Sequence, residues 1–169
     1  ADRFSVPLVI IDREAKLNSP EVYLVRSDEA QGMELAIDHL YSRGCRKTGC
    51  IIHGKPGTGN ADIRHEAICR ILKKKGLPAN DALIHFGSDE EYLEIIGKLL
   101  RHRIDSLFCP GGSGGILAAY ALSLFGRQIP EDISLIASEQ TFFSRYGTPP
   151  QTTITPDYKA MASSVADVI

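Results

Sequence analysis

Short apolar runs alternate along the chain with longer segments in which apolar residues recur at helical spacing. A continuous apolar run that is bounded by turn residues is typical of a strand buried on both faces. Such runs predict strands at residues 6–11, 21–25, 47–54, 83–86, 104–109, 133–137 and 152–154.

The segments between these strands have the pattern of amphipathic helices. The first carries Met33, Ala36, Ile37 and Leu40 on one face and stops at Gly44. Further helices are predicted at residues 63–75, 89–102, 116–125 and 157–169. Because strands and helices alternate, the fold class is predicted to be α/β with a parallel sheet.

The central stretch, residues 104–139, has the order strand, glycine-rich loop, helix, turn and strand. This is the order of a βαβ unit, which builds parallel sheets through a right-handed crossover. In open α/β sheets, ligands bind beyond the carboxyl ends of the strands. A glycine cluster at 110–115 follows the first strand and Glu139 ends the second. The unit is therefore predicted to form one wall of a small-molecule site.

Composition narrows the class of protein. A net charge of −2 gives no basic surface for a nucleic-acid backbone, and no apolar run reaches the length of a membrane span. The cysteines stand singly, without CxxC or Cys/His metal spacing, which indicates reduced thiols in a cytoplasmic protein. The start is unlike an initiator sequence and no element follows the last predicted helix, so we expect a piece of a longer chain. The singly placed thiols are Cys45, Cys50, Cys69 and Cys109.

A nucleotide site and an enzyme are the two alternatives that the glycine loops raise. Glycines before a helix let backbone N–H groups approach a phosphate, and Glu139 resembles an acid that holds a ribose hydroxyl. However, Leu117 stands where a dinucleotide fingerprint requires glycine, and no Lys-Ser/Thr pair follows either glycine loop. His53 closes a strand and could face the crevice, but no base, nucleophile or carboxylate pair is placed beside it. The sequence therefore predicts no catalytic residue, no metal site and no cofactor.

Arg64 is the most informative single residue. It follows a glycine-rich loop at the start of a predicted helix, where the macrodipole disfavours a cation. A guanidinium can hold two hydroxyls or a carboxylate in a fixed fork. Arg64 is therefore predicted either to bind a ligand or to be a plain surface arginine.

Several ungapped segments, in order, resemble the effector-binding domain of the LacI/GalR family of bacterial transcription repressors. Residues 6–13 resemble "IPVVLIDR", and residues 28–47 resemble "D..G…A..HL…GHRKI", with Cys45 where histidine is usual. Residues 126–136 resemble "G..IP.DISVIG", and residues 149–154 resemble "PPLTTI". The similarity covers essentially the whole chain.

This resemblance implies the two-lobed fold of type I periplasmic binding proteins, with an incomplete N-terminal lobe. Residues 1–46 are expected to belong to that lobe, residues 47–151 to form the C-terminal lobe, and residues 152–169 to return to the first. It also implies a homodimer, a sugar-like effector in the cleft between the lobes, and operator DNA read by an N-terminal helix-turn-helix that this chain lacks. Lobe closure would then couple the effector to DNA binding.

The resemblance also assigns site residues by position. Arg64 matches an arginine that grips the effector, and Asp12 matches an aspartate at the cleft end of its strand. Asn60 falls on a loop that often touches the effector. These matches imply a ligand-binding role for all three.

Two positions depart from the family pattern. Glu139 falls where an aspartate usually contacts effector hydroxyls, and Gly111 and Gly112 stand where the family has Asn-Asp. The asparagine amide is lost as a hydroxyl partner, while the longer Glu139 could reach across the space. These departures predict a ligand larger than a simple hexose, or a pocket that has drifted from sugar binding.

Two other interpretations of the protein's function remain open. An exported sugar-binding protein of the same fold would need a signal peptide upstream, and the reduced cysteines and repressor-like segments count against it. A nucleotide-dependent α/β enzyme has only the glycine cluster in its favour.

Overall fold

The computed structural model describes residues 8–12, 22–111, 113–138 and 142–168. The chain divides into two compact units. The first unit consists of Ala1–Asp28 and Pro156–Ile169, and the second runs from Glu29 to Thr155. Each unit has its own parallel sheet.

The first unit contains a pair of parallel strands and one helix. Strand β1 (Leu8–Ile11) pairs with β2 (Val22–Val25), in line with the apolar runs predicted there. Helix α6 (Tyr158–Ala166) packs against β2. Its start is fixed by Asp157, whose Oδ1 accepts a hydrogen bond from the Ala160 amide at 2.9 Å.

The second unit is built on a five-stranded sheet in the order β4-β3-β5-β6-β7, and every pairing is parallel. Parallel strands must be joined by crossovers, which explains why a helix follows almost every strand. The strands are β3 (Thr48–His53), β4 (Ile84–Gly87), β5 (Ser106–Cys109), β6 (Ser134–Ser138) and β7 (Thr152–Ile154).

Helices cover both faces of this sheet. Because β4 and β5 lie on opposite sides of β3, right-handed crossovers place α2 on one face and α3 and α4 on the other. Helix α1 packs on α2, and α3 packs on α4. The predicted α/β class, with parallel sheets flanked by helices, is confirmed. The helices are α1 (Glu29–Ser42), α2 (Asn60–Lys74), α3 (Tyr92–Arg101), α4 (Gly114–Leu124) and α5 (Phe142–Tyr146), with a 3₁₀ turn at Asp89–Glu91 before α3.

The core of the second unit lies between these helices and the sheet. Strand residues Ile51 and Phe108 and helix residue Leu99 are fully buried. Full burial of one such side chain stabilises the fold by about 2 kcal/mol. In α1 the four apolar positions predicted from helical spacing are all buried. Within the described ranges, none of the helices combines the length and apolar character needed to cross a bilayer.

Two local elements differ from prediction. Helix α2 begins at Asn60 rather than at residue 63, because the Ala61 amide already donates to the Thr58 carbonyl at 2.9 Å. Gly59 permits this early start, since it has a φ of 42°. The stretch predicted to be an irregular loop at 141–150 contains the short helix α5.

The division into units also differs from the lobes that the resemblance implies. Helix α1 packs on α2 and β7 pairs with β6, so both elements belong to the second unit. The resemblance instead assigns residues 1–46 and 152–169 to the N-terminal lobe. That lobe assignment stays a prediction.

Candidate functional site

Polar side chains gather at one edge of the five-stranded sheet, where β3, β4 and β5 end side by side. Strand β3 ends at His53, β4 ends at Gly87, and β5 ends at Cys109. The loops that leave these strands carry acids, glycines and a serine. Ligands of open α/β sheets bind at this edge, so it is the candidate functional site of the second unit.

Arg64 and Glu29 form a two-pronged ion pair at this edge. Arg64 Nε donates to Glu29 Oε2 at 2.7 Å, and Arg64 Nη2 donates to Glu29 Oε1 at 2.8 Å. Their side chains are only 16% and 15% exposed. Paired, charge-assisted bonds of this kind fix both position and orientation. The pair therefore locks the plane of the guanidinium and cancels its charge.

Arg64 lies further into its helix than the sequence predicts. The sequence predicts a helix that starts near residue 63, with Arg64 in its first turn. Helix α2 begins at Asn60, so Arg64 falls beyond that turn. The macrodipole effect falls off within the first turn. The ion pair with Glu29, which begins α1, is what holds the guanidinium in place.

Gly111 provides the space into which the guanidinium extends. A Cβ atom built on Gly111 would overlap Arg64 Nη1. The residue also has a φ of 90°, which side chains other than glycine adopt at a cost. Glycine is therefore favoured at position 111 both by the backbone conformation and by the neighbouring arginine.

His53, Asp89 and Ser113 form a second polar group at the same edge. Ser113 Oγ donates to Asp89 Oδ2 at 2.9 Å. His53 Nδ1 lies 3.4 Å from Asp89 Oδ1 and makes no hydrogen bond within the described residues. This nitrogen atom is buried, although 41% of the His53 side chain is exposed. The Asp89 side chain is half exposed, so a carboxylate faces solvent here. This group offers hydrogen-bonding capacity to a polar ligand.

Tyr92 lies beneath the start of α4. It is 2% exposed, and within the described residues its hydroxyl has no hydrogen-bond partner. Burial raises the pKa of this hydroxyl, and the nearby Cys109 and Asp89 act in the same direction. A Cβ on Gly114 would overlap the hydroxyl oxygen, so this glycine allows the helix to approach the ring.

The residues predicted for the site are distributed unevenly. Arg64 and Gly111 lie together at the sheet edge. Asn60 is the first residue of α2 and is not part of a loop. Asp12 belongs to the first unit, where its Oδ1 accepts from Ser27 Oγ at 3.0 Å. Glu139 lies outside the described residues, as does Gly112.

Three residues of this edge are not among the site residues that the sequence predicts. Glu29 is 35 positions away from Arg64, and no local pattern marks their pairing. Asp89 belongs to an acidic run typical of a helix start, while Ser113 sits in a glycine-rich loop. Only the order of the strands, which brings β4 and β5 to either side of β3, reveals their proximity.

The side chains at this edge offer charge and hydrogen-bonding groups to a ligand. The Arg64–Glu29 pair is neutral as a whole, and Asp89 and Ser113 offer oxygen atoms to a ligand. Across the described part of the chain, no cluster of His, Cys, Asp or Glu has the arrangement of a metal site.

Comparison with known sequences identifies related domains. A family described as periplasmic binding protein-like domain matches residues 37–169. The regulator DegA of Bacillus subtilis is 27% identical over 162 residues, which cover 94% of this chain and 47% of DegA. The repressor PurR of Haemophilus influenzae is 29% identical over 154 residues, which cover 89% of this chain and 45% of PurR. The chain thus spans about half the length of the curated relatives it matches.

Solved structures share the fold. A sugar-binding LacI-family regulator from Escherichia coli, complexed with phosphate, matches with a TM-score of 0.83 and 21% identity over 99% of this chain and 60% of its own. A complex of the regulator CelR with cellobiose matches with a TM-score of 0.79 and 23% identity over 96% of this chain and 51% of its own. These neighbours establish the architecture of the chain.

Proposed function

Because the chain belongs to the periplasmic binding protein-like domain family, we propose that it is the effector-binding part of a LacI-family transcription regulator. Its effector is a small, hydroxyl-rich molecule, such as a sugar or sugar derivative. The chain binds this effector and performs no catalysis. The related proteins of known sequence are themselves named as regulators and repressors.

The observation that carries this proposal is the convergence of polar groups at the carboxyl edge of the five-stranded sheet. Arg64 is immobilised by Glu29, and Asp89 and Ser113 lie on the loops that follow β4 and β5. A few convergent polar groups at this position are typical of a small-molecule site. A carboxylate that faces solvent is suited to accept hydrogen bonds from ligand hydroxyls.

The wider mechanism is part of the same proposal. A separate DNA-binding domain of the regulator reads the operator, since this chain, with a net charge of −2, has no overall positive charge to attract DNA. The regulator acts in the cytoplasm as a homodimer. An effector that binds one conformation better than another shifts the population of the dimer and thereby changes operator affinity.

A thermal-shift screen tests effector binding directly. The full regulator is screened against hexoses, pentoses, disaccharides, polyols and purines, together with the variant Asp89→Asn. We expect a neutral, hydroxyl-rich compound to raise the melting temperature of the wild type. The variant should bind this compound at least about tenfold more weakly, because a charged hydrogen-bond acceptor becomes neutral.

The control is Glu90→Gln, which removes an adjacent exposed acid outside the Asp89–Ser113 contact. It should respond like the wild type. If no compound stabilises the wild type, or if Asp89→Asn and the control respond alike, the assignment of this edge as the effector site is wrong.

A further inference from the structure

The position of Glu29 has a consequence for the class of ligand. We propose that Glu29 is a specificity residue, which neutralises Arg64 so that the site accepts uncharged ligands and rejects anionic ones. This inference rests on the proposed function, because it concerns the same sheet edge. It assigns a role to a residue that the family resemblance did not mark.

Glu29 occupies one paired-donor edge of Arg64 and neutralises the charge that would attract an anion. An arginine recognises a carboxylate or a phosphate through two parallel N–H groups. In this structure those two donors, Nε and Nη2, both bind the Glu29 carboxylate, at 2.7 and 2.8 Å. A ligand carboxylate would have to displace an internal one that is held in place by α1.

Displacement of Glu29 is unfavourable because both partners are largely buried. The side chains are 16% and 15% exposed, so a displaced Glu29 would be left as a poorly solvated charge without its partner. Asp89 places a second carboxylate at the same edge and repels an incoming anion further. A neutral hydroxyl-rich molecule avoids both penalties.

The glycine at position 111 keeps this arrangement in place. Any side chain there would collide with Arg64 Nη1 and push the guanidinium away from its present position. Glu29, at the start of α1, binds Nε and Nη2, while Gly111, in the loop after β5, leaves room for Nη1. The arginine is therefore positioned by the protein before a ligand arrives.

The test compares neutral and phosphorylated probes on the full regulator. Glucose, glucose 6-phosphate and inorganic phosphate are titrated by calorimetry into the wild type and Glu29→Gln. The wild type should bind neither phosphorylated probe nor inorganic phosphate measurably. Glu29→Gln should gain affinity for both phosphate-bearing probes by about tenfold or more, because a carboxylate no longer blocks Arg64.

Two variants act as controls. Glu34→Gln changes an exposed acid on the same helix, which pairs with the surface Lys74 at 3.8 Å, and should behave like the wild type. The double variant Glu29→Gln/Arg64→Gln carries no charge at either position. It should lose the gained phosphate affinity and, if Glu29→Gln folds poorly, restore the melting temperature.

The outcomes separate the two proposals. If the wild type binds glucose 6-phosphate as tightly as glucose, or if a folded Glu29→Gln gains no phosphate affinity, the role of Glu29 is wrong while the proposed function stands. If no neutral sugar binds the wild type in the preceding screen but Glu29→Gln gains phosphate affinity, the role of Glu29 in charge selection holds and the sugar effector is wrong.

Discussion

At the scale of single residues, the guanidinium of Arg64 is held by a carboxylate on one side and fits beside a residue without a side chain on the other. Glu29 binds two of its nitrogens, and Gly111 leaves room for the third. The sequence marks Arg64 through its place after a glycine-rich loop near the start of a predicted helix and through the family resemblance. It does not mark Glu29, because a pairing across 35 positions depends on how α1 and α2 pack.

The replacement Gly111→Ala tests this local packing. It should lower the free energy of unfolding by about 1–3 kcal/mol, through backbone strain and displacement of Arg64. Gly57→Ala is the matched control, because Gly57 also has a positive φ, of 82°, but faces open space. Urea unfolding measures both variants.

The difference between the two glycine variants reports the contact with Arg64. Gly111→Ala should cost more than Gly57→Ala in the wild type, and this excess should vanish when Arg64 is replaced by alanine. Equal costs for the two variants in the wild type would mean that Gly111 is required only by its backbone.

At the scale of elements, hydrophobic patterning predicts most strands and helices because burial governs both periodicities. The apolar face of α1 and the central strand–helix–strand order are found as expected. The start of α2 was not predicted, because it depends on the backbone of Gly59 rather than on a side-chain pattern. The 3₁₀ turn before α3 is another such local feature, fixed by hydrogen bonds between Ser88 and Glu91.

The Ser88–Glu91 turn predicts a dependence of stability on pH. Hydrogen bonds from the Ser88 amide and hydroxyl lower the pKa of Glu91 from its usual value, with Lys55 and Lys98 contributing. A lowered pKa in the folded state means that the stabilisation is present above the usual carboxyl pKa. It is lost as the pH falls through the lowered value.

Replacement of Glu91 by glutamine should therefore lower the urea midpoint at pH 7, and this effect should shrink in acid as the pH falls through the lowered pKa and the folded-state carboxyl becomes protonated. Glu90→Gln, an exposed neighbour, serves as the control and should show no such pH-dependent difference. If the effect of Glu91→Gln is the same at pH 7 and in acid, below the lowered pKa, the charge of Glu91 is irrelevant to the turn.

At the scale of the whole molecule, the family and fold class could be predicted and are confirmed. Ordered sequence segments carry the LacI/GalR resemblance. The matched family is a periplasmic binding protein-like domain, the related sequences are named as a regulator and a repressor, and the structural neighbours share the fold. The contacts within the site could be predicted only in part. The second unit brings Arg64, Gly111, Asp89 and Ser113 to one sheet edge through long-range strand order, which a single sequence does not reveal.

We propose above that this chain senses a small molecule on behalf of a DNA-binding regulator. The most direct measurement is operator affinity of the complete regulator by fluorescence anisotropy, with and without the compound found in the thermal-shift screen. We expect the compound to change operator affinity by about fivefold or more in the wild type and to have little effect in Asp89→Asn. A compound that binds the chain but leaves operator affinity unchanged would contradict the proposed sensing role.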